Sequence, residues 1–227
     1  MTAKPVTVRK PLICRVLWMM PLLGAMACRE SSRVDAATLE QTSTGSLLRV
    51  TIHGGPNDPR IAPVREAIAH WNRELGRLER HVRLDSGTIR TKTVPDDVLR
   101  AAGGEVMLGF GPATSRLRTS LSGVPGDIIV ALSDTDLISF GVPWSAGGKG
   151  VVTVRRSDIP PLSLPNTLRN VVTHELGHVL GLDHNRDSTT LMCGRPASCR
   201  PTAFASDSVR FFPLTTSEEQ WLQKRWP

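Results

Sequence analysis

Residues 174–184 read His-Glu-Leu-Gly-His-Val-Leu-Gly-Leu-Asp-His, a set whose types and spacing can hold a metal ion and put it to use. His174 and His178 are four apart, so on an α-helix their imidazoles share one face and reach one ion. A hydrolytic metal site needs a third protein ligand and an open fourth position. Gly181 offers the route to it. Without a Cβ it can take the left-handed conformation that ends a helix, bringing His184 back toward the other two histidines. Glu175, beside the first ligand, falls at the edge of such a pocket, where a general base belongs. Zn2+ suits three imidazoles and lowers the pKa of bound water from about 15.7 toward about 7. With Glu175 taking the remaining proton during attack on a polarised carbonyl, the expected reaction is hydrolysis of an amide.

Every fixed position of H-E-x-x-H-x-x-G-x-x-H is present, and the stretch resembles the zinc signature of the metzincin metallopeptidases. Thr190-Leu191-Met192-Cys193 is similar to the methionine turn of that clan, and its short interval after His184 resembles the matrixin branch. The resemblance implies Zn2+ held by His174, His178 and His184, Glu175 as the catalytic base and Met192 as an apolar floor. It implies an endopeptidase acting on a peptide or protein substrate. One position departs from the pattern: Gly194 stands where some branches carry tyrosine. The chain contains no tyrosine, which excludes a tyrosine-assisted mechanism. A structural zinc site is the bland reading, but such sites are normally closed by a fourth protein ligand and need no base. Two other functions fit the same residues: a zinc-containing lipoprotein that binds without cleaving, and an amidase acting on peptidoglycan peptide.

The histidines need elements to hold them. Asn166 or Thr167 can cap a zinc-site helix over Leu168–Leu180, and Asp183 reads either as an acceptor for an imidazole or as a turn residue. Further upstream, Leu47–His53 is a strand. A long helix follows, capped by Asn57 or Asp58 with Pro59 in its first turn. Its stripe of Ile61, Val64, Ile68, Trp71, Leu75 and Leu78 is core. His70 and His81 flank that stripe and are expected to face solvent or neighbours, not the metal. Apolar stretches at Val82–Ile89, Glu105–Phe110, Asp127–Leu132, Asp136–Val142 and Gly150–Val154 are bounded by turn residues and suggest more strands. Asp134, Asp136 and Asp158 match no calcium loop and read as turn residues. Thr216-Ser217-Glu218-Glu219 has the form of a capping box opening a last helix through Trp221 and Leu222.

This order implies an α+β fold with the sheet packed against two helices. The metzincin resemblance, extended over residues 47–227, implies a twisted, mostly parallel sheet on the long helix and the zinc-site helix, with a C-terminal helix. It makes Leu137–Trp144 the edge strand nearest the cleft, able to add an extended peptide to the sheet. Ser145–Gly150 is then a mobile rim or an ordinary hairpin loop.

Residues 1–27 look like an export signal, with a basic start, an apolar run from Val16 to Leu23 and Ala25-Met26-Ala27 before Cys28. Residues 28–46 read as a tether. After loss of Cys14 with the signal, three cysteines remain, and Cys28 resembles a lipoprotein cleavage site. A lipidated Cys28 leaves Cys193 and Cys199 to form a disulfide, and predicts an exported lipoprotein, periplasmic or at the cell surface. Free secretion is the alternative. The net charge of +7 does not point to nucleic acid, because Lys4, Arg9, Lys10 and Arg15 lie in the signal and leave +3 for the rest. A monomer with a membrane tether is expected.

Overall fold

The computed structural model describes residues 46–226, except 92, 93, 107–111, 147, 159 and 195–208. The signal, most of the tether, Cys28 and Cys199 fall outside the described residues.

Five strands make one sheet in the order β4-β2-β5-β7-β6. β2 (Val50–His53), β4 (Thr88–Arg90), β5 (Ile128–Leu132) and β7 (Gly150–Val154) run parallel. The edge strand β6 (Phe140–Val142) is antiparallel to β7, with Gly141 opposite Val152. A separate parallel pair joins β1 (Leu47–Leu48) to β3 (Arg83–Leu84). The helices are α1 (Ile61–Arg77), α2 (Asp96–Val106), α3 (Pro112–Ser120), α4 (Pro165–Val179) and α5 (Thr216–Arg225). The mostly parallel sheet with α1, the zinc-site helix α4 and the C-terminal α5 matches the expected architecture.

Side chains alternate between two cores, as the two-residue period of a strand requires. Ile128, Val130 and Leu132 pack with Trp71 of α1 and Val172 and Leu176 of α4. Ile129 and Ala131 turn the other way, to Leu99 of α2 and Leu117 of α3. Coverage of both faces explains why β5 is apolar throughout, and β7 apolar except for the buried Thr153, instead of alternating. Here the structure corrects the sequence reading, which had two helices against the sheet and a strand at Glu105–Phe110. Glu105 and Val106 close the helix α2, and 107–110 lie outside the described residues. Gly103-Gly104 obscures the helical pattern in the sequence. Gly103 packs closely on β6: a Cβ there would lie 3.1 Å from the Phe140 ring, which would have to shift.

Helix starts differ from expectation by a few residues. α1 begins at Ile61 because Asp58 closes a turn first: its carboxylate accepts from Arg60 N at 2.8 Å and its carbonyl from Ile61 N at 3.1 Å. α4 begins at Pro165, placing Asn166 and Thr167 inside the helix with no side-chain cap. The capping box of α5 uses Thr215 and Glu218, one residue ahead of the expected pair. Asp134, Asp136 and Asp158 are held by Arg60, Arg155 and Arg156, in keeping with their reading as turn residues.

Candidate metal centre

α4 carries His174 and His178 on a helix buried along nearly its whole length. Trp71 of α1 lies beneath it and donates from Nε1 to the Thr173 carbonyl at 2.9 Å. The edge strand closes the other side. A Cβ on Gly141 would collide with the Glu175 carbonyl and lie 2.8 Å from His178 Cβ, so only glycine lets β6 run this close to the helix. Trp144 N donates to the Val179 carbonyl at 2.9 Å and fastens the strand's continuation to the end of α4.

Gly181 turns the chain with φ of +98°, as its position predicts, and His184 returns to the first two histidines. His174 Nε2 lies 3.1 Å from His178 Nε2 and 3.1 Å from His184 Nε2, and the last two are 3.0 Å apart. The outer nitrogens fix the tautomers of two rings. His174 Nδ1 donates to the Leu191 carbonyl at 2.7 Å, and His178 Nδ1 donates to the Leu182 carbonyl at 2.7 Å. A carbonyl only accepts, so Nδ1 carries the proton on both rings and Nε2 presents a lone pair to the centre. Lone pairs converging at this distance repel unless a cation lies among them. Nitrogens so spaced can all sit about 2.0–2.1 Å from one point beside their plane, the length of a zinc–imidazole bond. The set therefore fits zinc. His174 is buried, His178 half-buried and His184 exposed, which leaves one side of the cluster open to solvent.

Glu175 is 3 % exposed, directly follows His174 on α4, and its backbone carbonyl lies against Gly141 of β6. Met192 is fully buried, and a Cβ on Gly177 would fall 2.5 Å from its sulfur, so its side chain lies directly against the ligand-bearing turn of α4. Asp183 is exposed and makes no side-chain hydrogen bond among the described residues, and backbone carbonyls hold the rings of His174 and His178 instead. His81 is exposed. His70 is buried, stacked on Phe211 at 4.3 Å, and burial pushes its pKa down to about 4. Neither joins the metal cluster.

Residues 136–205 match the family model described as Matrixin. Comparison with the sequences of curated proteins finds no match. Among solved structures, archaemetzincin from Methanopyrus kandleri is 20 % identical, with a TM-score of 0.50 over 82 % of this chain and 98 % of that one. The fold is that of a metzincin-like zinc peptidase. Two further solved structures match at lower TM-scores. A zinc-dependent peptidase from Methanocorpusculum labreanum has 0.42, with 15 % identity over 78 % of this chain and 100 % of that one. Myroilysin has 0.44, with 12 % identity over 85 % and 97 %.

Several residues around the three histidines carried no legible signal. The carbonyls of Leu191 and Leu182 hold the rings, yet every residue has a carbonyl. Gly194, noted in the sequence only for not being tyrosine, has a positive role. A Cβ there would overlap the His184 ring and lie 2.5 Å from its Nδ1.

Proposed function

We propose that this chain is a zinc-dependent metalloendopeptidase that hydrolyses peptide bonds. One observation carries the reading: three imidazoles turn Nε2 toward one point, two of them with their protons committed to carbonyls, beside the buried Glu175. His174, His178 and His184 would hold the ion, which when bound polarises the scissile carbonyl and acidifies water. Glu175 takes the proton of the attacking water and passes it to the leaving amine. Met192 supports the helix from below. β6 is an edge strand, and its free side can pair with an extended peptide, which suits cleavage within a chain.

The test is cleavage of casein or gelatin by the purified chain, with and without a chelator, beside Glu175→Ala, with zinc measured in each sample. Zinc-dependent cleavage is expected, falling about 10²–10⁴-fold in Glu175→Ala while zinc is kept. Bound zinc without cleavage of any peptide overturns the endopeptidase reading in favour of a binding lipoprotein. Cleavage of peptidoglycan peptide alone favours the amidase.

Residues 1–27 are proposed as an export signal and Cys28 as a lipid-modified anchor, on the pattern of the sequence. Cys28→Ser is expected to release the chain from membranes, and a variant that stays membrane-bound refutes the anchor. Pairing of Cys193, which is buried, with Cys199 belongs to the same proposal.

A further inference from the structure

The third histidine sits on a loop, and both residues that flank its turn rest on the C-terminal helix. Trp221 of α5 covers Gly181 so closely that a Cβ there would lie 3.0 Å from its Cζ3 and nearer still to Cη2. One turn earlier on the same helix, Glu218 Oε1 accepts from Asn185 Nδ2 at 2.6 Å. Asn185 follows His184 directly and is tied into the methionine turn. Its N donates to the Met192 carbonyl at 2.9 Å, and its own carbonyl accepts from Gly194 N at 3.2 Å. Its Nδ2 also reaches Thr190 Oγ1 at 2.8 Å, and its Oδ1 accepts from Asp187 N at 2.8 Å. Its bonds to Thr190, Met192 and Gly194 thus tie Asn185 to the loop that carries the carbonyl under His174 and the glycine against His184.

Glu218 is 7 % exposed, and a buried carboxylate is costly unless both oxygens are bonded. Its Oε2 accepts from Thr215 N at 2.7 Å, which is all that a capping box needs. Capping does not explain the second oxygen, given to Asn185. We infer that Glu218 and Asn185 form a clasp by which the C-terminal helix positions His184, so that α5 contributes to metal retention and not only to folding. Both are positioning residues, acting on the ion through His184 and the methionine turn. The inference rests on the zinc-site reading above.

The experiment measures zinc affinity of the full chain by competition with a chelator, for Glu218→Ala, Asn185→Ala, the double variant and Thr215→Ala. The visible spectrum of the cobalt-substituted protein is recorded for each. Outer-shell partners of ligands typically set metal affinity by about 10–100-fold, so each clasp variant is expected to bind zinc at least about 10-fold more weakly. The double variant should be no worse than the weaker single one, and the cobalt spectrum should change in all three. Thr215→Ala removes the hydroxyl that accepts from Glu218 N but spares the clasp. It should lower thermal stability and leave zinc affinity unchanged. If Glu218→Ala does not fold, Asn185→Ala decides, because it leaves the cap intact. Unchanged zinc affinity in both clasp variants overturns the inference, and so does an equal loss in Thr215→Ala, which would mean that α5 acts only by docking. An unmutated chain that folds without binding zinc overturns the metal-site reading, and the clasp with it.

Discussion

The two halves of the metal centre are built on different principles. His174 and His178 stand on α4, where the helical repeat sets their spacing and a buried helix sets their direction. His184 stands on a loop with no regular structure, placed by a glycine of positive φ, by Gly194 against its ring and by contacts from α5. Local geometry sets the spacing of the first half, and the Leu191 carbonyl adds only the orientation of the His174 ring. For the second, contacts distant in sequence substitute for a backbone repeat, and single substitutions there should act on the metal more than on the fold.

The strongest way to test that contrast is removal of the ligands. His184→Ala leaves a helix-borne pair that should still bind zinc weakly, whereas His174→Ala or His178→Ala should abolish binding. Equilibrium dialysis reads the difference, and equal losses would make the two halves equivalent.

Two glycines sharpen it further. Gly194→Ala drives a methyl into the His184 ring and is expected to weaken zinc binding about 10–100-fold. Gly177→Ala meets the flexible end of Met192 and the Trp71 ring, and should cost about 1–3 kcal/mol of stability while zinc is kept. Chelator competition and urea unfolding on both variants separate the outcomes.

Gly181→Ala tests the turn itself. Positive φ and the Trp221 ring both oppose a side chain there, for an expected loss of about 1–3 kcal/mol in urea unfolding. In a Trp221→Ala background the steric part should vanish and only the backbone part remain.

The smallest effect is expected away from the metal. Burial lowers the His70 pKa to about 4, with Glu74 raising it and Arg73 lowering it further. Phe211 stacks on the imidazole, and Arg169 lies over the Phe211 ring. The unfolded chain takes up this proton near pH 6.5, so the folded state binds fewer protons between about 6.5 and 4. Stability from neutral His70 is therefore present above pH 6.5 and lost as pH falls toward 4, by at most about 3 kcal/mol. His70→Phe should flatten that slope in urea unfolding of the metal-free chain. An unchanged slope would refute the assignment.

Legibility in the sequence followed the range of the interaction. The α1 stripe from Ile61 to Leu75 is buried as its spacing predicts, because helix periodicity and core burial are the same fact seen twice. α2 escaped notice because Gly103-Gly104 lowers helix propensity for the sake of a contact with Phe140 on another element. Asp58 mimics a helix cap and instead closes the turn before it, while also binding the Arg60 guanidinium at 2.6 Å. Asp134, in a distant loop, binds the same guanidinium, a contact that local sequence does not announce.

Sequence alone determined the chemistry: the kinds of ligand, the helix that pairs two of them, the glycine that returns the third and the carboxylate beside them. These depend on side-chain type and on the repeat of a single helix, both written locally. Only the tertiary structure decided which nitrogen of two rings faces the centre, why Gly141 and Gly194 admit no side chain, and that α5 holds the loop of His184. Each of these is a meeting of groups remote along the chain, where packing and hydrogen-bond geometry select among options that local spacing leaves open.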